Sequence, residues 1–443
     1  MHSPLRDLSH RKGWFARRVI FLVVALSFPP APGAFAATLA ERAAAYSDQL
    51  SGKILPYWFD TTIDRSHGGY LLGDDGRGRA VAREKQLVGQ ARLVWTFSHV
   101  HRKGFRTPGR NYLRAAEIGY QFLVDHFWDQ EHGGYFWRTD LEGKVISDRK
   151  ILYGESFVLY ALVEYHRASG DPEPLRRAME LYSVLQKHAH DNQRRGWVEH
   201  FTREWQPILD PKSNAEVEVA GYKSANTHLH LMEALAELCD ATKDRDVERS
   251  LAEALELNAT YFYPKSPGRS AFHRQPDWTE VTDPKSAGLS YGHNVEFAWL
   301  MVRAEQVLQR NVSWDHFEAH LDHALRFGAD PKLGGLYNRG ADDAPATQTD
   351  KIWWVQAEWV AALSDALHHK SRADFEQALQ RGLDFIERYQ ADPSDGIWRD
   401  TVTATGESKS PAKAHSWKAN YHDVRAIIKF IAAFAPQSLP PTK

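Results

Sequence analysis

Apolar residues recur every three or four positions in twelve segments of the chain, which is the pattern of helices that pack along one face. The segments cover residues 39–57, 81–103, 110–127, 148–168, 172–188, 221–242, 245–262, 289–310, 313–327, 351–369, 371–389 and 417–433. Between some of them the pattern changes. In residues 133–146, aromatic residues alternate before Leu141-Glu142-Gly143, which predicts a short β-hairpin. The chain is therefore predicted to be all-α, with short β-hairpins in its connecting loops.

A short signature recurs between the helices, in which Asp is followed by Gly four or five residues later and then by an aromatic residue. The copies begin at Asp64, Asp129, Asp191, Asp330 and Asp392. Successive copies are 65, 62, 139 and 62 residues apart. Because one interval is about twice the others, the pattern predicts six units, with a degenerate fourth copy near residues 258–267.

Six helical hairpins of alternating inner and outer helices close most naturally into an (α/α)6 barrel. An open helical solenoid is the alternative arrangement of the same repeats. No Pro-, Gly- or Ser-rich linker interrupts residues 37–443. We therefore predict one barrel domain over that range.

The second helix of each pair carries unusual polar and aromatic residues, most of them near its start. They are Arg92 and Trp95; Tyr153, Glu155 and Phe157; Asn226, His228 and His230; His293 and Glu296; Trp353, Trp354, Gln356 and Glu358; and Trp417, Tyr421 and His422. If these six helices form the inner ring, one end of the barrel collects these side chains. Free N–H groups at helix starts favour an anion and disfavour protonated histidine, so the arrangement suits proton abstraction.

Two histidines of this set have a glutamate three residues later, on the same helical face. His293 precedes Glu296, and His230 precedes Glu233. This spacing allows each carboxylate to orient an imidazole, which is an acid/base arrangement in outline. Helical di-iron sites use the reverse order, Glu-x-x-His, with further carboxylates on facing helices, so no metal site is predicted.

Other members of the set allow two interpretations. Asn226 is a predicted helix N-cap as well as a site residue. His228 is about 200° around the helix from His230, so both face one cavity only at an irregular first turn. Arg92 is either a buried cation paired with a carboxylate or a donor to an oxyanion. Trp353 and Trp354 are adjacent on a helix, so at least one of them is expected in the core.

The first 36 residues have the pattern of a secretory signal peptide. Arg11, Lys12, Arg17 and Arg18 form a basic region, an apolar run covers residues 19–28, and Ala34-Phe35-Ala36 is a small-x-small cleavage site. The apolar run is too short to span a bilayer, and no other segment is a predicted membrane helix. The protein is therefore expected to be periplasmic or secreted.

Composition excludes some classes of function. The formal net charge is −2 for the whole chain, and the predicted signal carries a net positive charge, so a nucleic-acid partner is not expected. Cys239 is the only cysteine, which excludes an intramolecular disulfide and a thiolate metal cluster. The 15 Trp, 17 Tyr and 21 Phe suit a cavity that stacks on sugar rings, so the expected partner is a small-molecule sugar. The protein is expected to be a monomer or a weak dimer.

Four motifs resemble, in order and approximate spacing, those of the N-acylglucosamine 2-epimerase superfamily, and within it most of all the cellobiose 2-epimerases. They are KSANTHLHLMEA from Lys223, SYGHNVEFAWL from Ser290, KIWWVQAEWVAAL from Lys351 and WKANYHDVRA from Trp417. The resemblance implies an (α/α)6 barrel. It also implies reversible epimerisation at C2 of a reducing-end glucose or mannose unit, as in cellobiose or mannobiose, with no cofactor.

The resemblance also implies roles for individual residues. His293 and His422 correspond to the acid/base pair, His230 assists ring opening or proton movement, Glu296 supports His293, and Arg92 lies near the enediolate oxygens. The residues expected to contact the sugar are Asn226, Trp354 and Trp417, together with Tyr153 and His228. The last motif departs from the family pattern at Ala419-Asn420 and Asp423, which leaves the sugar specificity open.

Three other functions remain compatible with parts of the sequence. An aldose-ketose isomerase of the same superfamily shares the enediolate but delivers the proton to C1. A glycoside hydrolase or lyase on the same barrel would use two carboxylates such as Glu155 and Glu358, which a histidine-centred cluster argues against. A periplasmic glycan-binding protein would need the aromatic residues but not the paired histidines.

Overall fold

Thirteen α-helices account for about half of the residues that the structure, a computed structural model, describes: 37–74, 81–281 and 288–435. They are α1 Leu39–Gln49, α2 Leu55–Thr62, α3 Leu87–Arg102, α4 Tyr112–Phe122, α5 Leu152–Ser169, α6 Glu173–His188, α7 Ala225–Thr242, α8 Arg245–Leu257, α9 Tyr291–Val307, α10 Trp314–His323, α11 Trp353–His369, α12 Ala373–Phe385 and α13 Tyr421–Phe434. The predicted signal segment, residues 1–36, lies outside the described residues. No helix of the described chain is long and apolar enough to cross a membrane.

Wider π-helical turns extend several of the outer helices. Leu50–Ile54 joins α1 to α2, which makes one continuous helix of the two, while Leu123–Phe127, Asn258–Phe262, Ala324–Gly328 and Ile386–Gln390 follow α4, α8, α10 and α12. One 3₁₀ turn, Pro267–Arg269, stands in the predicted degenerate fourth unit. With α1 and α2 counted as one, the helices form six pairs.

Short antiparallel strands lie at the starts of the inner helices. They are β1 Lys85–Gln86, β2 Arg138–Thr139, β3 Val145–Ser147, β4 Lys150–Ile151, β5 His200–Phe201, β6 Lys223–Ser224, β7 His273–Arg274, β8 Leu289–Ser290, β9 Arg339–Gly340, β10 Lys351–Ile352 and β11 Thr401–Val402. β1, β2 and β3 form one sheet, and the others pair as β4–β5, β6–β7, β8–β9 and β10–β11. The pairing of β2 with β3 confirms the predicted hairpin.

The inner ring consists of α3, α5, α7, α9, α11 and α13. Each of these helices packs on the next, and contacts between α13 and α3 close the ring. The outer helices α4, α6, α8, α10 and α12 pack on their inner partners, and α1 packs on α13. The predicted (α/α)6 barrel is confirmed, and the closing contact excludes the open solenoid.

The inner helices begin later than predicted. The patterns at residues 81 and 221, for example, gave starts that precede Leu87 and Ala225 by several residues. The reason is that the last two residues before each of these helices pair as a strand with a loop far away in sequence. Asn226 is not the N-cap of α7. That position belongs to Ser224, whose side chain accepts a hydrogen bond from the backbone N–H of Thr227.

The recurring aspartate is a structural anchor. Its side chain accepts backbone N–H groups of its own loop, as Asp64 does from Ser66 and His67. It also binds a buried lysine, in the pairs Lys85–Asp64 (2.8 Å), Lys150–Asp129 (3.2 Å), Lys223–Asp191 (3.1 Å), Lys351–Asp330 (2.5 Å) and Lys413–Asp392 (3.3 Å). Four of these lysines open the strands before inner helices, where the fourth unit has Leu289 instead. The ion pairs therefore tie the loop after an outer helix to the start of an inner helix.

Candidate active site

Two cavities open at opposite ends of the inner helices. The larger, about 750 Å³, is lined by their C-terminal halves, and the smaller, about 150 Å³, by their N-terminal turns. Charged side chains around the larger cavity neutralise one another, as in Arg102–Glu164, Arg303–Glu237 and Lys429–Asp365. The smaller cavity is lined by His230, His293 and His422, so it is the candidate active site despite its smaller volume.

The structure brings nine of the ten predicted site residues together around the smaller cavity. Its lining is Arg92, Tyr153, Asn226, His230, His293, Glu296, Trp353, Trp354, Trp417 and His422. Except for Trp417, which precedes α13, each residue comes from the first two turns of an inner helix. Both tryptophans of the pair Trp353-Trp354 line it, although only one was expected to.

His228 does not line the cavity. Its Nδ1 bonds the carbonyl oxygen of Ser224 at 3.0 Å, and its Nε2 accepts the backbone N–H of Trp197 at 3.3 Å. Gln90 and Gln356 accept the backbone N–H of Tyr70 and Leu336 in the same way in other units. The predicted sugar contact of His228 is therefore wrong, because the 200° offset from His230 turns it outward into a structural position.

His422 is oriented by a carboxylate of the neighbouring helix α11. Its Nδ1 lies 2.7 Å from Oε1 of Glu358, whose other oxygen accepts the indole N–H of Trp299 at 2.9 Å. A carboxylate only accepts, so Nδ1 carries the proton and Nε2 is left with its lone pair for a substrate. Burial lowers the pKa of His422 to about 3, against the opposite influence of Glu358, so the imidazole is neutral in the free protein.

His293 has different partners. Its Nδ1 lies 2.9 Å from the hydroxyl of Ser290, and its Nε2 lies 3.2 Å from Oδ1 of Asn226. Burial, helped by the neighbouring His230 ring and the guanidinium of Arg339, holds the pKa of His293 well below its usual value. Glu296 makes no hydrogen bond to His293. The predicted support of His293 by Glu296 is therefore wrong, although the two residues are correctly spaced on one helix.

Glu296 instead belongs to a buried network around Arg425. The guanidinium donates to Oε1 of Glu296 at 2.9 Å, to Oε1 of Glu358 at 2.7 Å and to Glu233. Burial and the nearby Glu358 raise the pKa of Glu296 well above its usual value. Burial alone would raise the pKa of Glu233 and Glu358 too, but Arg425 and the histidines outweigh it and lower both to about 2. One cation thus compensates two buried carboxylates, each of which holds a histidine.

The second of those histidines is His230. Its Nδ1 lies 2.9 Å from Oε2 of Glu233, so the histidine and the glutamate three residues later form the contact that their spacing predicted. The hydroxyl of Tyr421 donates to the other oxygen of Glu233 at 2.5 Å. Burial lowers the pKa of His230, which leaves a neutral imidazole with Nε2 toward the cavity side.

Arg92 supplies positive charge to the cavity. It donates to the carbonyl oxygen of Trp417 at 2.9 Å and to the hydroxyl of Tyr153 at 3.0 Å, and its guanidinium lies 4.4 Å above the ring of Phe157. Within the described ranges, no carboxylate forms a salt bridge with it. Of the two interpretations left open by the sequence, the donor to an oxyanion fits this geometry.

Aromatic rings form the remaining walls. The ring centroid of Trp354 lies 4.6 Å from that of His293 and 5.9 Å from that of His422, so the indole packs against both imidazoles. Trp417 lies 6.2 Å from Tyr153 on another wall. Such faces stack on the apolar side of a sugar ring.

One group of ligand atoms is close enough for a metal ion. Nitrogen or oxygen atoms of Glu296, Glu358 and His422 lie within 4.8 Å of one another. Arg425 already donates to both carboxylates, so a divalent ion would be placed beside a buried guanidinium. The arrangement suits proton transfer between neutral imidazoles and a substrate better than it suits a metal.

Sequence reasoning missed three contributors to this site. Arg425 lies three residues after His422 on an inner helix, a spacing that gave a usable signal. Ser290 has the ordinary pattern of an N-cap, with nothing to mark its bond to the imidazole. Glu218 lies in a loop, where no helical spacing marks it, and its side chain accepts a hydrogen bond from Asn226 at 2.8 Å.

Comparisons with known proteins bear on the family and the fold of the chain. The sequence model of the N-acylglucosamine 2-epimerase (GlcNAc 2-epimerase) family matches residues 69–426. The chain is 31% identical to a cellobiose 2-epimerase of Bacteroides fragilis over 86% of its own length and 97% of the relative, and 25% identical to a D-mannose isomerase of Marinomonas mediterranea over 86% and 94%. The solved structure of cellobiose 2-epimerase from Spirochaeta thermophila superposes with a TM-score of 0.80 at 30% identity, covering 89% of this chain and 97% of that one.

Proposed function

Because the chain belongs to the N-acylglucosamine 2-epimerase family, we propose that it is a sugar 2-epimerase acting on the reducing-end glucose or mannose unit of a β-1,4-linked disaccharide. The observation that carries the proposal is a pair of buried imidazoles, His293 and His422, that face one cavity with different hydrogen-bond partners. Epimerisation needs two such groups, one to remove the C2 proton and one to return a proton to the opposite face.

The first step is proton removal from C2 of the ring-opened sugar. His422 is the base in one direction, because Glu358 holds its proton on Nδ1 and leaves the Nε2 lone pair for the substrate. The electrons of the broken C2–H bond move to the carbonyl oxygen at C1, which gives a cis-enediolate and an imidazolium. Oε1 of Glu358 lies 2.7 Å from Nδ1 of His422 and stabilises the positive charge that the imidazole gains.

The enediolate is the high-energy intermediate, and its negative charge needs a cation in a water-poor cavity. Arg92 meets this need, since its charge is not neutralised by a carboxylate of the described chain and the hydroxyl of Tyr153 lies 3.0 Å from it. A preorganised donor of this kind contributes about 10²- to 10³-fold to the rate.

The last step returns a proton to C2 from the other side. Nε2 of the neutral His293 is the donor, which leaves this ring as an imidazolate until it is reprotonated. Trp354 packs against both imidazoles, where the face of the sugar can stack on it. His422 then releases its proton to solvent, and His293 regains one. For the reverse direction, Nε2 of His293 must first lose its proton and Nε2 of His422 must gain one, after which the two histidines exchange roles.

The experiment that tests the proposal is proton NMR of cellobiose and mannobiose incubated with the protein in D₂O. The expected product is the 2-epimer with deuterium at C2. The hydrogen returned to C2 comes from a second histidine, which exchanges with D₂O, and is not the proton that was removed. Free glucose and mannose serve as the control substrates for use of the second sugar unit. Far higher kcat/KM on free mannose than on any disaccharide would contradict the disaccharide assignment.

A second candidate function is supported by the similarity to a D-mannose isomerase. An aldose-ketose isomerase would form the same enediolate. If the enediolate received its proton at C1, the product would be a ketose. The same NMR time course separates the two functions. Ketose formed from the first turnovers, with no 2-epimer at any time, identifies an isomerase.

Export is proposed from the amino-terminal segment. The basic region, the apolar run and the Ala34-Phe35-Ala36 site predict cleavage after Ala36 and a periplasmic or secreted protein. Intact-mass measurement of protein recovered from the periplasm checks this. A mature form that retains residues 19–28 would refute it.

A further inference from the structure

Two glutamates of the loop between β5 and β6 adopt an unusual backbone conformation. Glu216 and Glu218 have φ of 64° and 56°, in the left-handed region that glutamate rarely occupies. Such residues persist where the surrounding structure holds them, and they concentrate at functional sites. Neither residue was singled out by its sequence context.

The two carboxylates point to different partners. Glu216 accepts from the guanidinium of Arg138 at 2.9 Å, away from the cavity lining. Glu218 accepts from Nδ2 of Asn226 at 2.8 Å, and its other oxygen lies 3.1 Å from Nε2 of His273. The side chain of Glu218 is 11% exposed, so these two contacts hold it in a largely dry environment.

The contact with Glu218 decides which way the amide of Asn226 faces. An ionised carboxylate has no proton to donate, so only the NH₂ group of Asn226 can face it. The carbonyl oxygen Oδ1 must then be the atom turned toward Nε2 of His293, at 3.2 Å. A reversed amide would place two acceptors against each other at Glu218.

The orientation of Asn226 in turn selects the tautomer of His293. Oδ1 only accepts, so Nε2 of His293 must carry a proton to make the 3.2 Å contact. The hydroxyl of Ser290 then donates to Nδ1 at 2.9 Å while its oxygen accepts the backbone N–H of His293. His422 has the opposite tautomer, because Glu358 keeps its proton on Nδ1.

We infer that Glu218 is a positioning residue: through Asn226 it keeps a proton on Nε2 of His293, so that one imidazole is ready to donate while His422 is ready to accept. The inference rests on the proposed epimerase function for its kinetic consequence. The tautomer itself is a property of the free protein.

The direct test is two-bond ¹H–¹⁵N correlation NMR of ¹⁵N-histidine-labelled, ligand-free protein, with the His293 signals identified by their loss in His293→Gln. In the unaltered protein, Nε2 of His293 is expected to be protonated and Nδ1 unprotonated. In Glu218→Gln the new amide presents either an acceptor or a donor to Asn226, so both tautomers of His293 are expected. Glu218→Gly removes the acceptor altogether and suits φ of 56°.

Kinetics on the epimerised disaccharide supply the second readout. Partners that orient metal-binding histidines contribute about 10- to 100-fold to activity, and Glu218 acts on His293 through one further residue. We therefore expect kcat to fall by about that factor in both variants, with a smaller change in KM. Glu216→Gln is the matched control, with the same residue type, the same left-handed backbone and a partner outside the site. Its kcat and its His293 signals are expected to match those of the unaltered protein.

The outcomes separate the inference from the proposed function. If His293 keeps only its Nε2-protonated form in both Glu218 variants, or if their kcat is unchanged, the positioning role is wrong although epimerisation stands. If the tautomer shifts as expected but the unaltered protein epimerises no sugar, the positioning role stands and the proposed function fails. An equal loss in Glu216→Gln would show that the loop acts through its backbone, which also overturns the role of the Glu218 carboxylate.

Discussion

Replacement of Arg425 by methionine tests whether one buried cation holds the site together. Arg425 donates to Glu233, Glu296 and Glu358, and all four side chains are at most 4% exposed. Methionine has a similar length and no charge, so Arg425→Met leaves the buried carboxylates without their cation. Breaking a buried ion pair from one side costs about 3–5 kcal/mol.

The expected change in melting temperature follows from the size of the barrel. Unfolding entropy is about 2.1 cal/mol/K per residue, and the compact unit begins at Leu39. For a chain of about 400 residues, a loss of 3–5 kcal/mol lowers the Tm by about 4–6 °C. Thermal unfolding followed by circular dichroism measures this shift.

The pH dependence of the loss has a definite sign. In the unaltered protein, Arg425 and the neighbouring histidines outweigh burial and lower the pKa of Glu233 and Glu358 to about 2, below the usual 4.5. Their stabilising contribution is therefore present above pH 4.5 and is lost as the pH falls toward 2. Without the cation, burial raises both pKa values instead, so the destabilisation of Arg425→Met should grow from pH 5 to pH 8.

Lys429→Met is the matched control. Lys429 lies one turn after Arg425 on α13 and contacts the same Trp299 ring at 4.3 Å, but its partner Asp365 is 32% exposed. Partly exposed pairs contribute about 0–1 kcal/mol, so a Tm change of about 1 °C or less is expected. A fall of less than 2 °C in Arg425→Met, or an equal fall at pH 5 and pH 8, would refute the reasoning.

Four further outcomes are expected. His293→Gln and His422→Gln should each lower kcat by about 10²- to 10⁴-fold with little change in Tm, and a loss below tenfold in steady-state assays would reassign the residue to a structural role. Glu358→Gln should lower kcat by up to about 10⁴-fold, because it no longer forces the proton of His422 onto Nδ1; an unchanged rate would contradict that role. The acid limb of kcat/KM should lie below pH 6.5, since burial lowers the pKa of both histidines and keeps them neutral to lower pH; a limb at or above 6.5 would count against it. A chelator should leave the rate unchanged, because Arg425 already binds the carboxylates nearest to His422; activity restored by a divalent ion would show otherwise.

The helical architecture could be predicted from the sequence because its signals are local. Each helix shows its own apolar stripe, and the recurring aspartate turn makes the six units countable even though the fourth copy, near residues 258–267, is degenerate. The helix starts were less accurate. Residues such as Lys223 and Ser224 look helical by their surroundings, but they pair with Arg274 and His273, about 50 residues away.

In the candidate site, too, features that depend on local spacing could be predicted, and contacts between distant segments could not. Its histidines and tryptophans were found because they stand near the starts of four inner helices, and His230 bonds Glu233 as the three-residue spacing predicts. The same spacing failed for His293 and Glu296. A helix places two side chains on one face, but the group that each one binds depends on the charges of the neighbouring helices. Glu296 binds Arg425 of α13 and not His293.

The tertiary structure alone decided the proton positions. The bonds of His422 to Glu358 and of Asn226 to Glu218 join different helices and loops, and no spacing along the chain records them. The role of Glu218 depends further on a left-handed backbone that glutamate rarely adopts, so its residue type gave no indication of it. The sequence thus determined which chemical groups reach the cavity, and the packing of the ring determined which of them carry a proton.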